Sequence, residues 1–187
     1  KKILVDCGAR ERENICDLAN HTPFPYHAAE IDVLIITHAH QDHIGLIPKL
    51  VKEGFRGVIY STPATRDLSE IMLQDAAHVM AIDAERSGCD PIFELSDVEK
   101  TMPLWQVHEY HEPFSIGDVQ VEFSDAGHIL GSALVRFTRQ GGAKPIVFTG
   151  DLGNSPEPLL CDTEAPEGAA YLVMESVYGD KVHEGRE

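Results

Sequence analysis

The sequence predicts a layered α/β fold with two sheets packed between helices. Three observations carry that reading. Short apolar runs alternate with helical spacings through the first part of the chain; β-rich segments separated by Gly-bearing turns follow; and no internal repeat or low-complexity linker interrupts them.

Taken in order, residues 2–6 form a short apolar run ending on Asp6, with Cys7-Gly8 as the turn. Residues 9–30 show no clean period and contain Pro23 and Pro25, which predicts a surface loop. Residues 31–36 are nearly all apolar, as expected of a strand covered on both faces. Apolar residues at 44, 46, 47, 50 and 51 predict a helix over 44–53, stopped by Gly54. Residues 58–60 are a third strand, and Thr62-Pro63 opens a long helix to about Arg86. A further helix is expected from Ser96 to about Val107, capped by Ser96 with Glu99 three residues on. Beyond it, strands are expected at 113–116, 119–124, 132–138 and 145–148, then at 171–174 ending at Glu175.

A chain of 187 residues is long enough for one substantial domain and its core. Lys plus Arg is 15 and Asp plus Glu is 31, giving a net charge of −16, which argues against a nonspecific basic nucleic-acid coat. The balance still allows a nucleic-acid enzyme in which metals, rather than Lys and Arg, receive the phosphate. Cys7, Cys16, Cys89 and Cys161 form no Cys-x-x-Cys pair, so reduced thiols are expected. No apolar run approaches the ~20 residues that span a bilayer, and no signal peptide is visible. A cytoplasmic protein without a membrane segment is the expectation.

The most informative stretch is Thr37-His38-Ala39-His40-Gln41-Asp42-His43, placed directly after the second strand. Three imidazoles and a carboxylate so close together cannot easily converge on one ion. They can serve two, because His38 and His40 lie two apart while Asp42 and His43 start the next turn of chain. The donor types suit zinc or a similar borderline divalent ion. The plain alternative is a polar loop that happens to be rich in His. Crowding three histidines at the mouth of a buried strand is costly unless something neutralises their lone pairs, and that favours a metal site. Two later segments repeat the arrangement: His128 follows a β-run between Gly127 and Gly131, and Asp151 follows one beside Gly150. Alone, each reads as an ordinary turn residue. Together they give three strand ends delivering ligand-type side chains.

The residues 38–43, Ala126-Gly127-His128-Ile129-Leu130-Gly131-Ser132-Ala133 and Phe148-Thr149-Gly150-Asp151 resemble successive motifs of the metallo-β-lactamase fold, with Asp6 as the earlier acidic motif. Gly-His-Ile-Leu-Gly-Ser-Ala together with Met174-Glu175-Ser176-Val177-Tyr178-Gly179-Asp180 resembles the β-CASP branch, which holds the endonuclease of the pre-mRNA 3′-end cleavage complex and its prokaryotic relatives. The resemblance runs from Lys2 to about His183 and implies an αββα four-layer sandwich. It implies that His38, His40 and His128 hold a first zinc, that Asp42 and His43 hold a second, and that Asp151 bridges them. It also implies that Asp6 orients a ligand and that Glu175 assists proton transfer. Manganese or iron would fit the same donors.

In that family, strands precede the segment matched by 2–6, and a β-CASP domain and a closing segment follow the segment matched by 178–180. The closing segment supplies a further histidine to the second metal. Residues 1–187 are therefore expected to be the N-terminal-side portion of a metallo-β-lactamase domain, with open sheet edges that invite a second copy or a larger RNA-processing complex. Val177 stands where relatives carry Thr. The function implied is hydrolysis of single-stranded RNA, by internal cuts or from the 5′ end. Two other readings compete: a thioester or lactam hydrolase of the same fold, and a catalytically silent RNA-binding or scaffold subunit. His21, His27, His78, His108, His111 and His183 give no coherent site by spacing, and Trp105 reads as core.

Overall fold

The computed structural model describes residues 1–10, 18–142, 144–154 and 156–180. Its first sheet contains β1 (Ile3–Val5), β2 (Val33–Ile35), β3 (Val58–Ser61) and β4 (Trp105–Val107), in that order and all parallel. Parallel neighbours need crossovers, and the helices supply them. These are α1 (Leu18–His21), α2 (Gln41–Ile44), α3 (Ile47–Lys52), α4 (Pro63–Ser87) and α5 (Leu95–Thr101). The second sheet runs β5 (Phe114–Ile116), β6 (Val119–Asp125), β7 (Ala133–Arg139), β8 (Ile146–Phe148) and β9 (Tyr171–Val173), antiparallel except for the last pair.

The side-chain alternation of β2 explains why its sequence is apolar throughout. Leu34 and Ile36 pack with Ile44, Ile47, Leu50, Leu73 and Phe93 in the helix layer. Val33 and Ile35 point the other way, against Val121, Phe123, Val135 and Phe137 of the second sheet. The far face of that second sheet carries, among the described residues, a small cluster of Ala126, Leu134 and Val147. Among the described residues no helix follows Leu104, so three layers of the expected sandwich are seen: helices, parallel sheet and second sheet.

Several expected elements are redrawn. The helix expected over 44–53 is two short helices, α2 and α3, separated at Gly45-Leu46, with Pro48 near the start of the second. The helix expected to run from Ser96 to Val107 begins at Leu95. Glu94 and Asp97 form its capping box, where Ser96 and Glu99 were expected. Pro103 then sits in a 3-10 turn (Met102–Leu104), and residues 105–107 become an edge strand pairing with β3. Within the stretch expected to be loop, residues 18–21 and 28–30 are helical; residues 11–17 lie outside the described set, as does His183. Trp105 is core, and its Nε1 donates to Ser61 Oγ at 2.8 Å.

Reduced thiols were expected throughout, yet Cys89 is disulfide-bonded, whereas Cys7 and Cys161 are free. No helix among the described residues is long and apolar enough to cross a membrane.

Candidate metal centre

All the site residues named from sequence stand at one end of the two sheets. Asp6 follows β1, residues 38–43 follow β2, His128 follows β6, Asp151 follows β8 and Glu175 follows β9. In an open α/β sheet the carboxyl ends of the strands are where ligands bind, because loops there splay apart.

Asp6 leaves its strand with φ 57°, a left-handed conformation that Asp tolerates. That turn aims its carboxylate across the sheet. Oδ1 accepts the Thr37 backbone N–H at 2.8 Å, and Oδ2 accepts the Thr37 hydroxyl and His43 Nδ1–H, both at 2.8 Å. Gly8 then lets the chain lie flat on the ligand loop. Cys7 N–H donates to the His43 carbonyl and Ala9 N–H to that of Gln41. A β-carbon at Gly8 would fall 1.5 Å from the Asp42 carbonyl oxygen.

The His128 loop is strapped from three sides. Ser132 Oγ accepts the backbone N–H of His128 at 3.0 Å and of Ile129 at 3.2 Å. Tyr110 Oη–H donates to the Ser132 carbonyl at 2.7 Å. Thr62, the N-cap of α4, and Thr65, in its first turn, both donate hydroxyls to the Gly131 carbonyl, at 2.7 and 2.8 Å. None of these straps was visible in the sequence beforehand.

The result is a convergence of donors. His38 Nε2 lies 3.0 Å from His40 Nδ1, which lies 3.1 Å from His128 Nε2. Asp151 completes that group, and Asp42, His43 and Asp151 make a second. The two oxygens of Asp151 divide between them: Oδ2 stands 3.8 Å from His38 Nε2 and 3.7 Å from His128 Nε2, while Oδ1 stands 3.3 Å from His43 Nε2. His43 Nε2 also lies 3.6 Å from Asp42 Oδ2. Zinc–nitrogen bonds of roughly 2.0–2.1 Å place tetrahedral ligands roughly 3.3 Å apart, close to the nitrogen separations here, so the donor set fits a metal.

Electrostatics prepares these groups for a cation. Burial, reinforced by the neighbouring His43, His128 and His40, pushes His38 down to about 2, so it is neutral at any physiological pH. Burial also lowers His128. For His43 burial pulls downward, but the hydrogen bond and charge of Asp6, with Asp151 and Asp42, outweigh it and leave the imidazole raised. Glu175 sits beside the centre with Oε1 accepting the Leu152 backbone N–H at 2.6 Å. A cavity of about 600 Å³ opens in front, lined by His128, Asp151, Glu175 and Tyr178 among others. A second, of about 480 Å³, is lined by Arg10, His40, Asp42, Met72 and Asp151.

A family model described as "Metallo-beta-lactamase superfamily domain" matches residues 1–170. The chain belongs to the metallo-beta-lactamase superfamily. Among curated relatives, Ribonuclease TTHA0252 of Thermus thermophilus is 38% identical over 183 residues, covering 98% of this chain and 40% of that protein. Transcription termination factor FttA of Methanosarcina mazei is 38% identical over 156 residues, covering 80% of this chain and 23% of the factor. Cleavage and polyadenylation specificity factor 73 of Drosophila melanogaster is 32% identical over 193 residues, covering all of this chain and 27% of the factor. The chain thus spans less than half the length of each. These relatives bear out the RNA-processing branch that the 126–133 and 174–180 segments resemble.

Proposed function

We propose that this chain carries the metal-binding part of a β-CASP-type phosphodiester hydrolase that cleaves single-stranded RNA, within the metallo-beta-lactamase domain of a longer enzyme. The observation that carries the reading is the split of Asp151, one oxygen toward His38 and His128 and the other toward His43. A carboxylate so placed suits two ions rather than one. His38, His40 and His128 would hold the first, Asp42 and His43 the second, and Asp151 both; zinc suits these donors best, with manganese or iron as alternatives. When bound, two such ions supply an activated water at neutral pH and neutralise the charge of a phosphodiester.

The remaining groups act around that centre. Asp6 holds His43 with its Nε2 facing inward. Arg10, at the rim of the second cavity, would offer a local positive charge to an RNA phosphate. The larger cavity is of a size that admits a nucleotide. Glu175 keeps one carboxylate oxygen on the Leu152 N–H and has the other for moving a proton at the leaving oxygen. The names of the relatives, a ribonuclease and a cleavage and polyadenylation factor, support RNA as the substrate.

The test is cleavage of an end-labelled single-stranded RNA by the protein in its full natural length, with and without a chelator. Cutting that stops on chelation and returns with zinc is the expected result, and product lengths separate internal from 5′-end attack. RNA binding with no cutting by the zinc-loaded protein would overturn the proposal in favour of a silent RNA-binding subunit.

A further inference from the structure

We infer that Thr37 is a positioning residue of the metal centre, bonded through its backbone and hydroxyl to the Asp6 turn, the His38 ring and the exit of the His128 loop, and packed close to Gly150 beside Asp151. The inference rests on the two-metal reading and concerns how the ligands are held. Thr37 is only 1% exposed. Its N–H donates to Asp6 Oδ1 at 2.8 Å, and its carbonyl accepts the N–H of Ala133, where the chain leaves the His128 loop, at 2.9 Å. Its Oγ1 lies 2.8 Å from Asp6 Oδ2 and 3.1 Å from His38 Nδ1. On its other side, a β-carbon at Gly150, next to Asp151, would come within 2.8 Å of that Oγ1. One side chain therefore bonds to the Asp6 turn and the His38 ring, and leaves no room for a β-carbon on the Asp151 loop.

The hydrogens on these atoms follow from valence. A carboxylate only accepts, and a hydroxyl has one hydrogen and two lone pairs. The Thr37 hydrogen goes to Asp6 Oδ2, so its lone pairs face His38 Nδ1, and that nitrogen carries the ring hydrogen. His38 Nε2 is left with a bare lone pair, and Nε2 is the atom 3.0 Å from His40 Nδ1 and 3.8 Å from Asp151 Oδ2. Asp6 performs the same service for His43 by taking its Nδ1–H. Thr37 and Asp6 together thus select, in two histidines at once, the tautomer able to bind a metal. Valine at 37 matches the shape of threonine and lacks the hydroxyl; serine keeps the hydroxyl and lacks the methyl.

The experiment compares wild type, Thr37→Val and Thr37→Ser. Zinc affinity is read by chelator competition, ligand geometry by the absorption of the cobalt-substituted protein, and fold by thermal melting without metal. Thr37→Val should still melt cooperatively, at a lower midpoint because the buried His38 Nδ1–H loses its acceptor, and should lose zinc affinity by roughly tenfold to a hundredfold, with a changed cobalt spectrum, as expected when a ligand loses its orienting partner. Thr37→Ser should restore both readouts. Equal zinc affinity in Thr37→Val, or an equal loss in Thr37→Ser, overturns the inference. If Thr37→Val does not fold, the tautomer of His38 in wild-type metal-free protein decides, by long-range proton–nitrogen spectroscopy. A hydrogen on Nδ1 supports the inference and one on Nε2 overturns it. Wild-type protein that binds no zinc would instead sink the two-metal reading, and the tautomer measurement would still judge Thr37.

Discussion

Gly150 and Thr37 meet so closely that a β-carbon on Gly150 would stand 2.7 Å from the β-carbon of Thr37. Gly150 also has φ 54°, in the left-handed region. The strand end that presents Asp151 is therefore built on a residue that cannot be enlarged. Gly150→Ala should cost about 1–3 kcal/mol from backbone strain, with more from the clash. It should also displace Asp151. Urea unfolding measures the first effect and chelator competition the second; an alanine variant with wild-type zinc affinity would show that the loop relaxes freely.

Asp151→Asn separates an enzyme from a scaffold. The variant keeps the shape of the side chain and removes the charge that faces both donor groups. Nearly all chelator-sensitive turnover should disappear and the bound zinc should fall, while RNA binding measured by fluorescence anisotropy persists. Retained turnover would exclude Asp151 as a shared ligand.

Ser132→Ala probes the His128 loop. The hydroxyl oxygen accepts two backbone N–H groups, and alanine leaves both without that partner. A loss of about 1–3 kcal/mol is expected, the range for stranding a buried donor. The cobalt spectrum should change with it, because the same two bonds set the direction of His128.

A pH effect is expected away from the centre. His108 stacks on Phe114 with ring centroids 3.8 Å apart and planes 3° apart, and burial lowers its pKa from the ordinary 6.5. The folded state then binds fewer protons than the unfolded chain below that value. The contribution of His108 to stability is complete above pH 6.5 and is lost as the pH falls through the depressed folded value. Urea midpoints of metal-free wild type and His108→Phe, compared from pH 8 to pH 5, should diverge at the acidic end, with the Phe variant the flatter. Parallel curves would remove His108 from the acid response.

Much of this architecture was legible because strands and ligands are local signals. A period-2 or wholly apolar run betrays a strand, and a crowd of His and Asp at its end betrays what the strand delivers. Residues 38–43, His128 and Asp151 could be named in that way, whereas the roles of Asp6 and Glu175 came only with the family resemblance. The cap of α5 was misread because Glu94 is an uncommon capping residue, and Ser96 with Glu99 imitates the same motif two residues later. The strand at Trp105–Val107 was hidden because an apolar run after a helix reads as more helix, and its pairing with β3 is a tertiary fact. Thr37, Tyr110, Thr62 and Thr65 escaped notice for a related reason. Their hydroxyls act on chain segments far away in sequence, and no spacing rule links such positions.

The candidate ligands come from two sheets that share no strand, and His128 is 88 residues away from His40, which it touches. Neither sheet alone, nor any collapsed state in which the two have not docked, contains a complete set of donors. Closing so long a loop is slow compared with forming α4 or the β6–β7 hairpin. Metal uptake in refolding should therefore mark the end of the process, and a chain holding zinc with native affinity is one whose two sheets have already docked.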